Sequence, residues 1–200
     1  MLSSIRPALV IMVFFTVLTG LVLPICLVGA ATALDPFRAR GSILLRDGHP
    51  VGSALIGQNF AGAGYFHGRP SATVEPDPKD STKTVPTPYA ADNSAASNLG
   101  PTAKSLADRV RGDVAALKAT AVPADAVTTS GSGLDPDISP ENAALQLSRV
   151  AAARHLSEDA LRTLVAQHTR APFLGFVGGA RVNVLELNLA LDAAGSRPAG

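Results

Sequence analysis

Residues 7–34 read PALVIMVFFTVLTGLVLPICLVGAATAL, a run in which Cys26 is the only ionisable side chain. At ~1.5 Å rise per residue it exceeds the roughly 20 residues needed to cross a hydrocarbon layer, which predicts one transmembrane helix. Gly20, Pro24 and Gly29 would break or kink a helix in water. They are better tolerated in lipid, where neighbouring helices satisfy freed backbone groups, so the anchor is expected to lean on partner helices. The alternative is a cleaved signal peptide: Arg6 gives a basic start and Ala31-Thr32-Ala33 has the small residues of a cleavage site. Against it, the apolar run is about twice the usual ~7–15-residue core of such peptides. Charge alone points the wrong way for an external domain, with Arg6 before the run and Arg38, Arg40 and Arg46 soon after it. The short N-terminal tail is nevertheless typical of a segment that sends its C-terminal domain across.

Outward from this run, 200 residues suit an anchor at 1–34 and one further domain at 35–200. A net charge of +1, seven Phe, two Tyr and no Trp give neither a basic field nor stacking platforms, so no nucleic-acid partner is expected. One cysteine permits neither an internal disulfide nor a thiolate cluster. The expected class is α/β in the broad sense, α+β in arrangement, with a short β-hairpin and about four helices. Ser42–Leu45 and Val51–Ile56 flank Asp47-Gly48, a tight-turn pair, and predict the hairpin. Gln58–Arg69 mixes aromatic and glycine residues and reads as a packed loop. Residues 73–88 carry four prolines among charges and are expected to be an irregular, exposed, mobile insertion.

Helices are predicted from a Thr102 cap to about Ala119, from a Ser139 cap to about His155, and from Ser157, with Leu156 and Leu161 placed as a hydrophobic staple. The first is amphipathic, with Leu106, Val110, Val114 and Leu117 along one face. Residues 182–191 alternate like a half-buried strand, yet Asn183 and Glu186 have the spacing of a helix cap; leucine propensity favours helix.

Catalytic signals are weak. Gly57 and Gly62 have P-loop spacing, but Ala63 stands where the phosphate-binding lysine belongs. Gly62-Ala63-Gly64 fails as a dinucleotide fingerprint because His67 takes the third glycine position. His49, His67, His155 and His168 lack zinc-site spacing and read as surface or capping residues; no metal is expected. The stretch TTSGSGLDPDISP, residues 128–140, offers successive amides for an anion-binding nest or is a plain loop-to-helix junction. Its serines lack the G-x-S-x-G elbow, and a freestanding anchored hydrolase using one of them is the alternative to a non-catalytic protein. Gln146, Arg149 and Arg154 fall on a stripe of the second helix that is either partner-binding or merely solvated.

Six blocks occur in a familiar order: Gly52–Gln58, Tyr65–Ser71, Ser97–Pro101, Ser130–Pro136 with Ile138–Pro140, Gln146 with Arg149–Ala151, and Arg181–Asp192. In these the chain resembles the C subunit of the bacterial Kdp potassium-transporting P-type ATPase along almost its whole length. Residues 73–88 make a longer link than is usual there, and the tail after Asp192 is poorer in charge.

The resemblance implies a non-enzymatic subunit of an ATP-driven potassium uptake complex in the bacterial inner membrane. It implies a cytoplasmic N-terminus, an extracytoplasmic domain, and as partners the channel-like A subunit, the ATP-hydrolysing B subunit and the small F peptide. It further implies an assembly factor and catalytic chaperone that raises ATP affinity in the B subunit, with Gln146 in the position proposed to touch nucleotide. Because ATP does not reach an external domain, the expectation is allosteric coupling, with no cofactor bound by this chain alone. Partner-contact candidates are Ser130, Gly131, Ser132, Gly133, Asp135, Arg149, Asn183, Glu186 and Asn188.

Overall fold

Pro24 sets the shape of the N-terminal helix, because a residue without an N–H cannot close the bond to the carbonyl one turn back. In the computed structural model, which describes residues 4–195, α1 (Ile5–Val17) runs into a π-helical turn, Leu18–Val22, and α2 (Leu23–Leu34) resumes with Pro24 in its first turn. The Thr16 and Thr19 hydroxyls donate to Met12 O at 2.8 Å and Phe15 O at 2.6 Å, so their polar atoms are satisfied within the helix. The result is one 30-residue helix, Ile5–Leu34, long and apolar enough to cross a membrane.

Asp35 then caps the short α3 (Pro36–Ala39) by accepting the Arg38 N–H at 3.0 Å. The predicted hairpin follows as β1 (Ile43–Arg46) and β2 (His49–Ser53), with Arg46 opposite His49. Asp47 at φ 52° and Gly48 at φ 79° make the left-handed two-residue turn that matches strand twist. The chain divides into two compact units, Met1–Ser53 and Ala54–Gly200, and this hairpin lies in the first.

In the second unit, residues 73–88 are not irregular as expected. β3 (Val74–Asp77) and β4 (Asp80–Pro86) pair antiparallel, with Val74 opposite Pro86 and Glu75 opposite Val85. Each strand of a two-stranded ribbon has a free edge, which tolerates residues lacking an N–H, and Pro78 suits the turn, where Asp77 Oδ1 accepts the Lys79 N–H at 2.8 Å. The expected exposure holds along most of β4.

Helix α4 (Lys104–Leu117) is capped by Ala103, not by Thr102, and the Ala103 N–H donates to Gly100 O at 3.0 Å, closing a turn ahead of it. Its apolar face is thinly covered, with Val114 and Leu117 exposed. After α5 (Ala124–Val127) and β5 (Asp137–Ile138), Ser139 caps α6 (Pro140–Leu145) by accepting Asn142 N–H at 3.0 Å, as its sequence predicts. The helix expected to run on to His155 instead breaks at Gln146 and continues as α7 (Leu147–Arg154), closed by His155 at φ 54°. Ser157 caps α8 (Glu158–Gln167), accepting Ala160 N–H at 3.2 Å.

Strands β6 (Thr169–Arg170) and β7 (Arg181–Asn183) complete an antiparallel sheet in the order β5-β7-β6, and Asn183 turns the chain from β7 into α9 (Val184–Ala194). Strand and helix readings of this stretch therefore each describe part of it. The core gathers Phe66, Ile138, Leu147, Val150, Leu161, Val182, Leu187 and Leu191, with Leu156 packed on its edge.

Tyr89 pins the loop that carries Phe66. Its Oη donates to Arg69 O at 2.8 Å, and its ring fills the space above Gly57 and Gly68, where an added Cβ would fall 2.4 Å and 2.1 Å from ring and hydroxyl atoms. Burial, reinforced by the charge of Asp135, pushes the phenol up to about 12. Gly68→Ala is expected to cost ~1–3 kcal/mol through overpacking. The unfolded phenol ionises near ~10, ahead of the folded one, so Tyr89's contribution is intact below that pH and is lost as pH climbs to about 12. Urea titration of the full chain in detergent micelles from pH 9 to about 12 should show this loss, and Tyr89→Phe should remove its tyrosine-dependent part.

Candidate functional site

Residues 62–65 form a turn closed by Tyr65 N–H on Gly62 O at 3.1 Å, and Phe66 and His67 follow outside any strand, so the carbonyls of Ala63–His67 find partners elsewhere. Side chains from two helices supply them. On α9, Asn188 acts as a peptide mimic: its Oδ1 accepts Phe66 N–H and its Nδ2 donates to Phe66 O, both at 2.9 Å. At the α6–α7 break, Gln146 does the same for the next residue, accepting His67 N–H at 2.8 Å and donating to His67 O at 3.0 Å. Arg149 donates through one nitrogen to Ala63 O at 2.7 Å and Tyr65 O at 2.9 Å. Arg154 Nε donates to Gly64 O at 2.7 Å. Five consecutive carbonyls are thus held by four side chains.

Gln146 stands at the junction of α6 and α7 with φ −92° and ψ −7°. The remaining Gln146 capacity is also engaged, Nε2 donating to Asn142 Oδ1 at 3.0 Å and Oε1 accepting from Arg149 at 2.6 Å. With two donors and two acceptor positions, the amide is fully paired within this chain. Asn142 passes the order on: its Nδ2 donates to Asp125 at 3.0 Å, and Asp125 also accepts the Ser139 N–H and hydroxyl, each at 2.8 Å. Burial would raise the Asp125 carboxyl, but the Ser139 and Asn142 hydrogen bonds outweigh it and hold it below the usual range.

Arg154, expected on an exposed stripe, is buried. It pairs with Asp192 at 2.7 Å, both side chains being nearly inaccessible, and its guanidinium lies 4.5 Å over the Tyr65 ring. Arg149 and Arg154 are five residues apart within α7, roughly 140° around a helix of ~3.6 residues per turn, which is why a stripe drawn through 146, 149 and 154 misplaces its end.

The other candidates fall into two groups. In the 128–140 loop, Ser130 Oγ accepts Gly133 N–H at 2.8 Å and Ser132 Oγ accepts Leu134 N–H at 3.1 Å. Asp135 pairs with Arg69 at 3.0 Å and accepts Asp137 N–H at 3.1 Å, while Gly131 stands exposed. The Gly133, Leu134 and Asp137 amides are therefore already bonded, and the serine hydroxyls form turns. Gly133 O accepts the Ser71 hydroxyl at 2.8 Å, tying this loop to the Arg69-Pro70-Ser71 block. Near α9, Asn183 Oδ1 caps Glu186 N–H at 3.0 Å and its Nδ2 donates to Ala54 O at 2.9 Å, whereas Glu186 takes Arg170 through both oxygens, at 2.7 and 2.6 Å. Ser130, Gly133, Asn183 and Asn188 are all buried in this chain. His155 and His168 close helices, as their sequence context predicts. Sequence reasoning missed Tyr89, Asp125, Asn142 and Asp192, whose partners lie far along the chain.

His67 sits inside this network, its Nε2 3.0 Å from Gly62 O. Burial lowers its pKa below the ordinary imidazole value, against a smaller opposing effect of the Gly62 hydrogen bond, and the Arg149 charge lowers it slightly further. The unfolded chain then takes up the proton first, so stability should fall as pH drops through ~6.5. Gln146→Leu leaves the His67 N–H and C=O unpaired and is expected to cost about 1–3 kcal/mol, as is Asn188→Leu at Phe66. Thermal melts of the full chain in micelles check both; unchanged midpoints would mean the amides bear no structural load.

The comparisons with known proteins agree with this geometry in extent. The profile of the family described as "K+-transporting ATPase, c chain" matches residues 5–193. A protein of Rhodopseudomonas palustris named "Potassium-transporting ATPase KdpC subunit" is 58% identical over 201 residues, covering 98% of this chain and 100% of that protein. Proteins of the same name from Bradyrhizobium diazoefficiens, at 56% over 98% of this chain and 100% of theirs, and from Methylorubrum extorquens, at 58% over 96% and 97%, are similar to the same degree. The match runs through the apolar helix, the clamped segment and α9 alike, and on that extent the chain belongs to the KdpC family, the c chain of K+-transporting ATPases.

Proposed function

We propose that this chain is a non-catalytic accessory subunit of an ATP-driven potassium uptake complex. It is held in the bacterial inner membrane by Ile5–Leu34, retained as an anchor, with its N-terminus cytoplasmic and the rest of the chain outside. It stabilises assembly of the channel-like A subunit, the ATP-hydrolysing B subunit and the small F peptide, and raises ATP affinity in the B subunit by coupling through the complex. Family membership and the apolar helix support the setting.

The observation that carries the coupling reading is the Gln146 side chain. All four of its hydrogen-bonding positions are used on His67, Asn142 and Arg149. Contact with nucleotide would require breaking bonds that hold the His67 backbone, each costing about 1–3 kcal/mol if left unmet. Gln146 is therefore read as a positioning residue, and its influence on ATP passes through the shape of the domain and the subunits it touches. The hydrolase alternative gains nothing from the serine loop, where Ser130 and Ser132 oxygens accept backbone amides in tight turns.

Topology tests this directly. Thr82 is exposed on β4, and in a Cys26→Ala background Thr82→Cys offers one reactive thiol. An impermeant thiol reagent is expected to label it in intact spheroplasts. Protection until lysis would put the domain on the nucleotide side and contradict the coupling reading.

A further inference from the structure

The connection between β6 and β7 does not fold back on the core. Residues 171–180 read APFLGFVGGA, with no charge and no hydroxyl. Phe173, Leu174, Phe176 and Val177 are 68%, 70%, 78% and 48% exposed, a cluster of large apolar side chains at the tip of one loop. Scattered exposed apolar residues need no explanation, but four within five positions do.

The loop is also shaped in advance. Phe173 and Val177 exchange backbone hydrogen bonds, N–H to O at 3.0 Å and 2.9 Å, and Gly175 N–H donates to Pro172 O at 3.0 Å. Leu174 is held at φ 53°, a left-handed conformation unfavourable for a leucine, which the two cross-bonds impose. At its base Arg170 is paired with Glu186 at 2.6 Å and Arg181 with Asp137 at 3.2 Å. The finger is thus rooted in the central sheet by ion pairs and its rim carries no net charge.

Two kinds of apolar environment would cover such a tip, lipid or protein. Lipid-inserting loops use Trp or Tyr at the headgroup level and free Lys or Arg for anionic headgroups. Residues 169–183 contain no Trp, Tyr or Lys, and both flanking arginines are paired within the chain. A fixed backbone with side chains in set positions matches a socket of definite shape, where pre-organisation lowers the cost of binding. We infer that the Phe173–Val177 finger docks in an uncharged apolar socket on a neighbouring subunit of the transport complex. This rests on the reading of the chain as a complex subunit.

The test uses the full chain co-expressed with the other pump subunits, carrying a photo-crosslinking phenylalanine analogue at Leu174 or Phe176, and at Thr82 as a control. Crosslinks from 174 and 176, absent from 82, to a peptide of a co-purifying pump subunit are expected. Adducts to lipid alone, or no adduct in an intact purified complex, overturn the finger's assignment while leaving the complex reading standing. Failure of the unsubstituted chain to co-purify with pump subunits overturns both. In parallel, Phe173→Ser with Phe176→Ser should leave the melting midpoint unchanged yet reduce co-purification at least about tenfold, since two large apolar groups lose their burial. Undiminished co-purification counts against the proposal.

Discussion

The loop residues Ala63–His67 belong to no strand yet carry Phe66 into the core of this domain, and the helices around them answer that constraint. Leaving a buried peptide group unpaired costs about 1–3 kcal/mol, and Ala63–His67 presents five carbonyls in succession. The side chains of Asn188, Gln146, Arg149 and Arg154 take all five, and the two amides take N–H groups as well. Helices α7 and α9 are therefore fixed relative to the segment, and Phe66 is delivered to the centre of the core, fully buried. The buried Arg154–Asp192 pair joins the two helices from behind. Removing one partner of such a pair usually costs ~3–5 kcal/mol, because the other is left buried and uncompensated, so the pair makes the arrangement all-or-none more than it adds net stability.

Several residues that stand out in the sequence make hydrogen bonds within this chain. Gln146 and Asn188 are chosen for an amide's ability to pair with a peptide group on both sides, which neither a carboxylate nor an aliphatic chain can do. Asp125 extends the same network through Asn142 and Ser139 to the start of α6. A change at any of these positions is felt across the helix break. The exposed features lie elsewhere, on the β6–β7 finger and the β3–β4 hairpin.

Local signals in the sequence were readable wherever a short-range rule governs. The apolar run, the Asp47-Gly48 turn and the Ser139, Ser157 and Asn183 caps all involve partners within a few residues, and each is found as expected. The 73–88 ribbon was misread because prolines break helices and central strands but not the free edges of a hairpin. The site itself was legible only as a set of residue types. Gln146 and His67 are 79 positions apart, Asn188 and Phe66 122, and no periodicity links them. Arg154 lies roughly 140° around α7 from Arg149, so one stripe cannot hold both, and its buried partner Asp192 is 38 positions away.

Hydrogen exchange at the Phe66 and His67 amides tests the central claim most directly, with the full chain in micelles. If side-chain amides hold this segment, both sites should be protected like the amides of α7 and α9, and Gln146→Leu should expose His67 more than Phe66. Exchange at the rate of an open loop in the unsubstituted chain would mean that the clamp does not hold the segment, and would contradict the account.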